Sequence, residues 1–270
     1  MMPFSAIAEG TSPWLPAPGQ FTLGINHTQQ TAKESIIGDK ELSVWAITGA
    51  AEEYKSTTNT VQFTYGLLDS LSFDLAAGQA KVEVGSADSS SGRIDTVIGG
   101  NWRVLDEYIS SGVPTLTLRA AAILKGNYEG ARLAGLGKAA NGLEVAAIVG
   151  KQISPMFSLW GEIGVQNRDN SVPNATFYDI NAGLAFTREL SASIGVSNKK
   201  YSGDLDIGGA GFSPSRFPEV KEERSLIKLG LNYSFAENQG LSLNFAKITA
   251  GRNTVKDDRI ISISYAYGFN

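Results

Sequence analysis

The sequence contains no cysteine and only one histidine among its 270 residues. The lack of cysteine excludes disulfide scaffolds, thiol nucleophiles and cysteine-ligated zinc or iron–sulfur sites. One histidine is too few for a metal centre built from several imidazoles. We therefore expect no bound metal and no cofactor. No serine lies in a recognisable nucleophile motif, so we expect no catalytic residue and no enzymatic activity.

Long apolar runs and a strong excess of one charge are also missing. The longest apolar runs span residues 120–124 and 145–149, far below the roughly 18 residues that a transmembrane helix requires. The formal net charge is −4, which gives no basic surface for nucleic acid. Helical membrane proteins and nucleic-acid-binding proteins are thereby excluded. A closed β-barrel remains possible, because its strands cross a membrane without a long apolar run.

From Gly19 onward apolar and polar residues alternate with a period of two, which is typical of β-strands. Strands in globular sheets usually have about 5–6 residues, whereas a tilted membrane strand needs about 9–11. The alternating segments are of the longer kind. We predict twelve strands, at residues 20–30, 57–67, 71–84, 91–104, 115–125, 141–152, 156–168, 175–187, 190–200, 224–235, 240–250 and 258–269.

The connections between these segments alternate in length. Tight turns are predicted at residues 68–70, 153–155, 188–189 and 236–239. Long polar or glycine-rich loops are predicted at residues 31–56, 126–140 and 201–223. Outer-membrane barrels have short periplasmic turns and longer extracellular loops. The connection 105–114 departs from the pattern, because it should be short and has ten residues.

Aromatic residues of the apolar face collect near the tight turns, as in the girdle at a membrane interface. They are Phe21, Phe63, Tyr65, Phe73, Trp102, Phe157, Phe186, Tyr233, Phe235, Tyr265 and Tyr267. Period, connections and aromatics together predict an all-β protein: a transmembrane antiparallel β-barrel of about twelve strands over residues 20–270. A β-sandwich with a dry core is the alternative.

The residues before the barrel form two segments. Residues 1–8 end in a small-x-small pattern that precedes signal-peptide cleavage sites, so we interpret them as a signal-peptide remnant; a flexible terminus is the alternative. Residues 9–19 contain three prolines that enforce an extended, periplasmic segment. We predict that this segment folds into the periplasmic mouth and narrows it; a disordered tail is the alternative. The residues predicted to form the constriction are Trp14, Leu15 and Pro16.

The face opposite the apolar one should line the lumen. Its basic residues lie mostly on the fourth and fifth strands and its acidic residues on the sixth to eighth. Opposed charges predict a transverse field that discriminates among polar solutes, while structural ion pairs filling a narrow barrel are the alternative. Twelve strands enclose less space than a general porin, which predicts a narrow channel. The lumen-lining candidates are Asp74, Arg93, Asp95, Arg103, Arg119, Glu144, Trp160, Glu162, Asp179, Asn181, Lys228 and Asn232.

The only histidine, His27, is a candidate catalytic residue, because some twelve-stranded outer-membrane barrels are lipases that use serine and histidine. It lies at the far end of the first strand, where its side chain should point toward lipid or loops. We interpret His27 as an interfacial polar residue.

Three sequence elements resemble outer-membrane channels of the meta-pathway-of-phenol-degradation family. They are Trp14-Leu15-Pro16-Ala17-Pro18-Gly19-Gln20 before the first strand, Tyr65-Gly66-Leu67-Leu68-Asp69-Ser70-Leu71-Ser72 across the first turn, and Asp95…Gly99 followed by Trp102-Arg103-Val104-Leu105-Asp106-Glu107. The resemblance implies a monomeric twelve-stranded barrel in the outer membrane of Gram-negative bacteria and a role in the uptake of small hydrophobic or aromatic compounds.

The sequence therefore predicts a passive outer-membrane channel with both termini in the periplasm. Its expected partners are lipopolysaccharide, phospholipid and a small-molecule solute, with no nucleic acid. The hydrophobic or aromatic solute class comes from the resemblance. The charged lumen favours small polar or charged solutes as the first alternative, and a non-conducting structural or adhesive barrel is the second.

Overall fold

The computed structural model describes residues 12–49, 53–110, 112–130 and 134–269. The predicted signal-peptide remnant, residues 1–8, lies outside this part of the chain. The elements, in chain order, are β1 (Phe21–Ala32), β2 (Glu34–Ile37), β3 (Lys40–Ser43), α1 (Val44–Thr48), β4 (Tyr54–Leu68), β5 (Leu71–Val84), β6 (Asp88–Arg93), β7 (Thr96–Leu105), β8 (Thr115–Leu124), β9 (Gly142–Gln152), β10 (Phe157–Arg168), β11 (Ala175–Ala185), β12 (Leu190–Tyr201), a 3-10 helix (Pro214–Glu219), β13 (Glu223–Ala236), β14 (Gln239–Arg252), β15 (Thr254–Lys256) and β16 (Arg259–Phe269).

The long strands close into a single antiparallel barrel. Its order is β1-β4-β5-β6/β7-β8-β9-β10-β11-β12-β13-β14-β16, with β16 paired back to β1. β6 and β7 pair with successive halves of β5 and together form one barrel strand. The twelve predicted segments match the twelve barrel strands, so the predicted barrel is confirmed and the β-sandwich is not. Three short strands, β2, β3 and β15, form a separate small sheet.

An extra residue interrupts the alternation between β6 and β7. Gln79 of β5 pairs with Arg93, and Ala76 pairs with Val97. Three steps along β5 therefore oppose four steps along β6 and β7, which is the arrangement of a β-bulge. Because side-chain direction alternates residue by residue, the bulge turns Arg93 to the outside of the barrel, where it is exposed. The structure thus contradicts our prediction that Arg93 lines the lumen.

The two ends of the barrel differ in their connections. At one end the strands are joined by short turns at residues 69–70, 153–156, 186–189 and 237–238, and the barrel begins at Phe21 and ends at Phe269. We call this the short-turn end. The opposite end, the loop end, carries the loops that contain β2, β3, α1, β15 and the 3-10 helix. The connection between β7 and β8 is also at the short-turn end but is longer than the other turns there, as the sequence predicted.

The outward face is apolar and carries its aromatic rings near the short-turn end. Phe21 stacks on Phe269 with ring centroids 4.2 Å apart, and its ring also lies 5.6 Å from that of Phe63. Phe235 and Tyr265 stack farther around the barrel. These rings are half-buried or exposed on the outward face, which is unfavourable in water and favourable at a lipid interface. In the part of the chain that the structure describes, no helix combines the length and apolarity needed to cross a bilayer.

Apolar side chains inside the barrel cluster at the loop end. One buried cluster joins Val44 of α1, Val82 and Val84 of β5, and Ala134 of the β8–β9 loop. Others consist of Ala140, Val172, Ala175 and Tyr201, and of Leu226, Ile248 and Ile260. The loops are therefore packed into this end of the barrel.

Candidate permeation pathway

The segment before β1 lies inside the short-turn end, and we call its described residues, 12–20, the strap. Leu15 is 5% exposed. The strap leaves β1 alongside β4, where Gly19 N donates to Gly66 O (2.8 Å) and Gly66 N donates to Gln20 O (2.9 Å). At its other end Thr117 Oγ1 of β8 donates to Pro13 O (2.8 Å). Two barrel strands separate β4 from β8, and the Trp14 ring reaches Trp160 of β10, so the strap runs through the lumen from one part of the wall to another.

Two glycines of the wall provide room for the strap. A Cβ at Gly66 would lie 2.2 Å from Ala17 O, and one at Gly150 would lie 2.4 Å from Pro13 Cγ. Both distances are too short for any side chain. The wall and the strap therefore fit together at both of its ends, as expected for a fixed part of the fold.

Trp14 is the predicted constriction residue whose side chain has a polar partner. Its ring meets Trp160 of β10 edge-on, with centroids 6.3 Å apart, a favourable geometry for aromatic pairs. Its Nε1 donates to Glu107 Oε1 (2.9 Å). Leu15 is buried, and Pro16 is half-buried beside Gly66. The predicted site residues Trp14, Leu15, Pro16 and Trp160 are thus brought to the same end of the lumen.

An ionic cluster centred on Arg119 lies against the wall. Arg119 donates to both carboxylate oxygens of Asp74 (2.5 and 3.0 Å) and to Asn101 Oδ1 (3.1 Å), and its Nε lies 3.6 Å from Glu144 Oε1. Its guanidinium crosses β7 to reach β5. It can do so because the intervening residue is Gly99, where a Cβ would lie 2.5 Å from Arg119 Nη1. Arg119 is 7% exposed.

A second ion pair repeats this arrangement on the other side of the barrel. Lys228 of β13 reaches across β12 to Asp179 of β11, and Asn181 also donates to Asp179. In the register, Gly195 of β12 lies between Lys228 and Asn181, and a Cβ there would lie 2.1 Å from Asn181 Oδ1. The glycine therefore leaves room for the Asn181 amide that donates to Asp179. Both ion pairs are formed along the wall, between strands that one strand separates.

Asp95 connects the β6–β7 bulge to the β8–β9 loop and to β10. Its carboxylate accepts from Gly126 N (3.1 Å), Tyr128 Oη (2.5 Å) and Arg168 Nη1 (2.6 Å). Burial, and then the hydrogen bond to Asp95, hold the pKa of Tyr128 above its usual range, so the phenol remains a donor. Gln166 links this group to Glu144, to which its Nε2 donates (2.9 Å).

The remaining lumen candidates are dispersed. Arg103 lies at the short-turn rim, where it pairs with Asp106 (3.1 Å) and donates to Asp69 O (2.6 Å). Glu162 points inward and interacts electrostatically with Arg119. Asn232 points inward and is half-buried. Local pairing of the predicted charges favours structural ion pairs over a field directed across the lumen.

Four adjacent strands, β14, β16, β1 and β4, present no charged side chain to the lumen. The register and the alternation of burial identify their inward residues. We call this surface the neutral wall; its central residues are Asn26, Thr28, Thr60, Gln62, Ser242, Asn244, Ser262 and Ser264. It has hydroxyl and amide groups but no fixed charge.

His27 lies on the outside of β1, away from the lumen. It shares a hydrogen bond with Asn59 Oδ1 (2.8 Å) and lies 3.3 Å from Gln29 Nε2. Its side chain direction agrees with its interpretation as an interfacial residue. Within the described ranges, no group of three or more acidic or imidazole side chains could hold a metal ion.

Sequence reasoning missed Glu107, Thr117 and Gly150, which hold the strap. The connection 105–114, ten residues where a tight turn was expected, was the available signal for Glu107. Thr117 and Gly150 gave no signal, because threonine and glycine are common on the inner face of a barrel.

At the loop end, an ion pair between the loop residue Asp206 and the last residue of β14, Arg252, gives a pH-dependent prediction. Arg252 donates to Asp206 (2.8 and 2.5 Å), as does Asn253 (2.7 Å), and these bonds hold the pKa of Asp206 below its usual range. The contact is therefore present above the ordinary pKa of about 3.9 and is lost as the pH falls through the lowered value. We expect an NMR titration of Asp206 to give a lower midpoint than in Arg252→Gln. Equal midpoints would contradict the assigned cause.

Comparison with known structures shows similar barrels. An outer-membrane channel from Pseudomonas putida F1 superposes with a TM-score of 0.72 at 16% identity, covering 95% of this chain and 98% of that one. The KdgM porin gives a TM-score of 0.56 at 7% identity (92% and 99% covered). The translocator domain of the autotransporter NalP from Neisseria meningitidis gives 0.52 at 10% identity (94% and 89% covered). At these identities the likeness shows the fold.

Sequence comparison identifies the family. A search of curated protein sequences gives no match. The family model for the "MetA-pathway of phenol degradation" matches residues 23–265, which is nearly the whole barrel. The chain therefore belongs to this family of β-barrel proteins, as the three sequence elements had suggested.

Proposed function

We propose that the protein is a passive outer-membrane channel for small hydrophobic or aromatic molecules. The observation that carries the proposal is the distribution of charge in the lumen. The charged side chains of the ionic clusters are paired with neighbours along the wall, and the neutral wall presents no charged side chain to the lumen. An uncharged solute that follows the neutral wall therefore meets no unpaired ionic group. The family description supports an aromatic solute, and the similar Pseudomonas putida protein is described as an outer-membrane channel.

The proposal includes an orientation. The short-turn end, with the strap, faces the periplasm, and the loop end faces outward, as in outer-membrane barrels generally. The outward aromatic and aliphatic side chains contact lipopolysaccharide and phospholipid. One chain encloses its own lumen with a fully paired wall, which supports a monomer.

Solute flux into vesicles with lipopolysaccharide in the outer leaflet tests the proposal. We expect a neutral aromatic solute to enter faster than into empty vesicles. Ser264→Trp, which fills the lumen beside the neutral wall, should lower this flux severalfold. Ile263→Trp on the same strand faces lipid and serves as the matched control, with unchanged flux. Absence of both solute flux and conductance would contradict the proposal and favour a structural or adhesive barrel.

A narrow channel for small polar solutes is the second candidate. Within the neutral wall, the buried Thr60 Oγ1 and Asn244 Nδ2 have no hydrogen-bond partner among the residues that the structure describes. Buried polar groups are usually satisfied, so these atoms suit water or a polar solute. Faster flux of a small sugar than of the aromatic solute, both relative to empty vesicles, would favour this candidate.

A further inference from the structure

The β7–β8 connection contributes one carboxylate to the lumen. Among the short-turn connections it is the long one, and Glu107 follows directly after the end of β7 and Asp106. Glu107 Oε1 accepts from Trp14 Nε1 (2.9 Å), and Glu107 Oε2 accepts from Gln152 N (2.9 Å). The Thr115 hydroxyl donates weakly to Oε1 (3.4 Å). Glu107 thereby joins the strap to the last residue of β9.

The two ends of the strap are held by different kinds of contact. The end near β1 is covalently continuous with the barrel and is fixed by two backbone hydrogen bonds to Gly66. The far end is held by side chains: Thr117 bonds Pro13 O, and Glu107 bonds the Trp14 indole. Side-chain contacts can open without disturbing the barrel ladder. The far end is therefore the end that can release.

We infer that Glu107 is the positioning residue that latches the far end of the strap across the lumen. The inference rests on the proposed channel function and deepens it, because it assigns a residue that holds the constriction closed. A carboxylate is suited to this position, since both of its oxygens accept and two N–H donors converge on it.

An amide replaces the carboxylate only with a close contact between two groups that both donate. Gln152 N donates to both oxygens of Glu107, at 2.9 Å to Oε2 and 3.2 Å to Oε1, and Trp14 Nε1 donates to Oε1. In Glu107→Gln the NH2 group therefore lies 2.9 Å either from the Trp14 indole N–H, which loses its acceptor, or from Gln152 N, which keeps only its longer bond. Trp14→Phe removes the indole N–H and keeps an aromatic ring against Trp160. The amide can then turn its oxygen to Gln152. The effects of the two substitutions should therefore be non-additive, which is the signature of direct coupling.

Site-directed spin labelling tests the latch on the full chain, which has no native cysteine to interfere. We expect a label at Ser12→Cys, at the far end, to become severalfold more mobile in Glu107→Gln. A label at Ala17→Cys, beside Gly66, should remain unchanged. Glu237→Gln, an exposed substitution on the β13–β14 turn, is the matched charge control and should change neither label.

Conductance gives the second measurement. Glu107→Gln should open more often than the wild type, and the double variant with Trp14→Phe should not exceed the larger single effect. Retained heat-modifiable mobility on gels shows that each variant folds. An immobile Ser12 label in Glu107→Gln, or additive effects in the double variant, would overturn the latch. If strap deletion raises the conductance in the same experiments, the proposed channel stands and only the latch fails.

Discussion

Deletion of residues 9–18 is expected to raise the single-channel conductance severalfold. The strap spans the short-turn end from Gly66 to Thr117 and carries buried Leu15 between its two anchors. A twelve-stranded barrel has more interior space than the eight-stranded barrels that side chains just fill. The strap therefore occupies space that the wall side chains of a twelve-stranded barrel leave free at this end of the lumen. Planar-bilayer recording of the deleted and full-length chains, purified and folded in the same way, measures the change.

A substitution in the wall provides the control for this deletion. Gly150→Leu leaves the strap in the chain but places a side chain where Pro13 Cγ is 2.4 Å from a Cβ. We expect it to displace the strap and to raise the conductance in the same direction. Gly100→Leu is the matched substitution, since a Cβ there meets no atom within 4 Å, and should leave the conductance unchanged. Equal conductance of the deletion and the wild type would show that the strap does not limit flow.

The barrel itself could be predicted from the sequence because one physical constraint repeats along the whole chain. Every second side chain faces lipid, and every barrel strand must be long enough to cross it. Segments such as 157–165 and 261–269 therefore carry the signal independently, and an error in one does not affect the others. The aromatic residues near the turns add a second signal with the same origin.

The direction of Arg93 could not be predicted in this way. A period of two defines a face only while the register is unbroken, and one extra residue exchanges the faces. The bulge before Val97 leaves Asp95 inside and Arg93 outside. Arginine and aspartate occur in regular strands as well as at bulges, so the residue types do not mark the position of this one. In the structure Asp95 contacts a loop that is distant in sequence, through Tyr128.

The pairing of charges in the lumen also depends on information that periodicity lacks. Basic and acidic residues were predicted to oppose one another across the barrel, yet Arg119 pairs with Asp74 two strands away. The pairing requires both the register and a glycine at the residue between them, Gly99. Glu107 was missed for a similar reason, because its partner Trp14 is distant in sequence.

Replacement of Arg119 by methionine is expected to destabilise the barrel and to change its ion selectivity. It leaves Asp74 and Glu144 without their cation, and removing one partner of a buried ion pair costs about 3–5 kcal/mol. With Glu162 nearby, the site becomes a cluster of three carboxylates that attracts cations. We expect a lower urea midpoint in lipid vesicles, and a reversal potential shifted toward cation selectivity in a salt gradient.

Arg93→Met is the matched control for this substitution. Arg93 is exposed on the outside of the neighbouring strand, and surface substitutions usually change stability by less than about 0.5 kcal/mol. It should therefore alter neither the midpoint nor the reversal potential. The double variant Arg119→Met/Asp74→Asn should recover part of the stability and half or more of the selectivity shift, because it removes a carboxylate left unpaired. If Arg119→Met behaves like Arg93→Met, then Arg119 neither stabilises the wall nor neutralises the carboxylates around it.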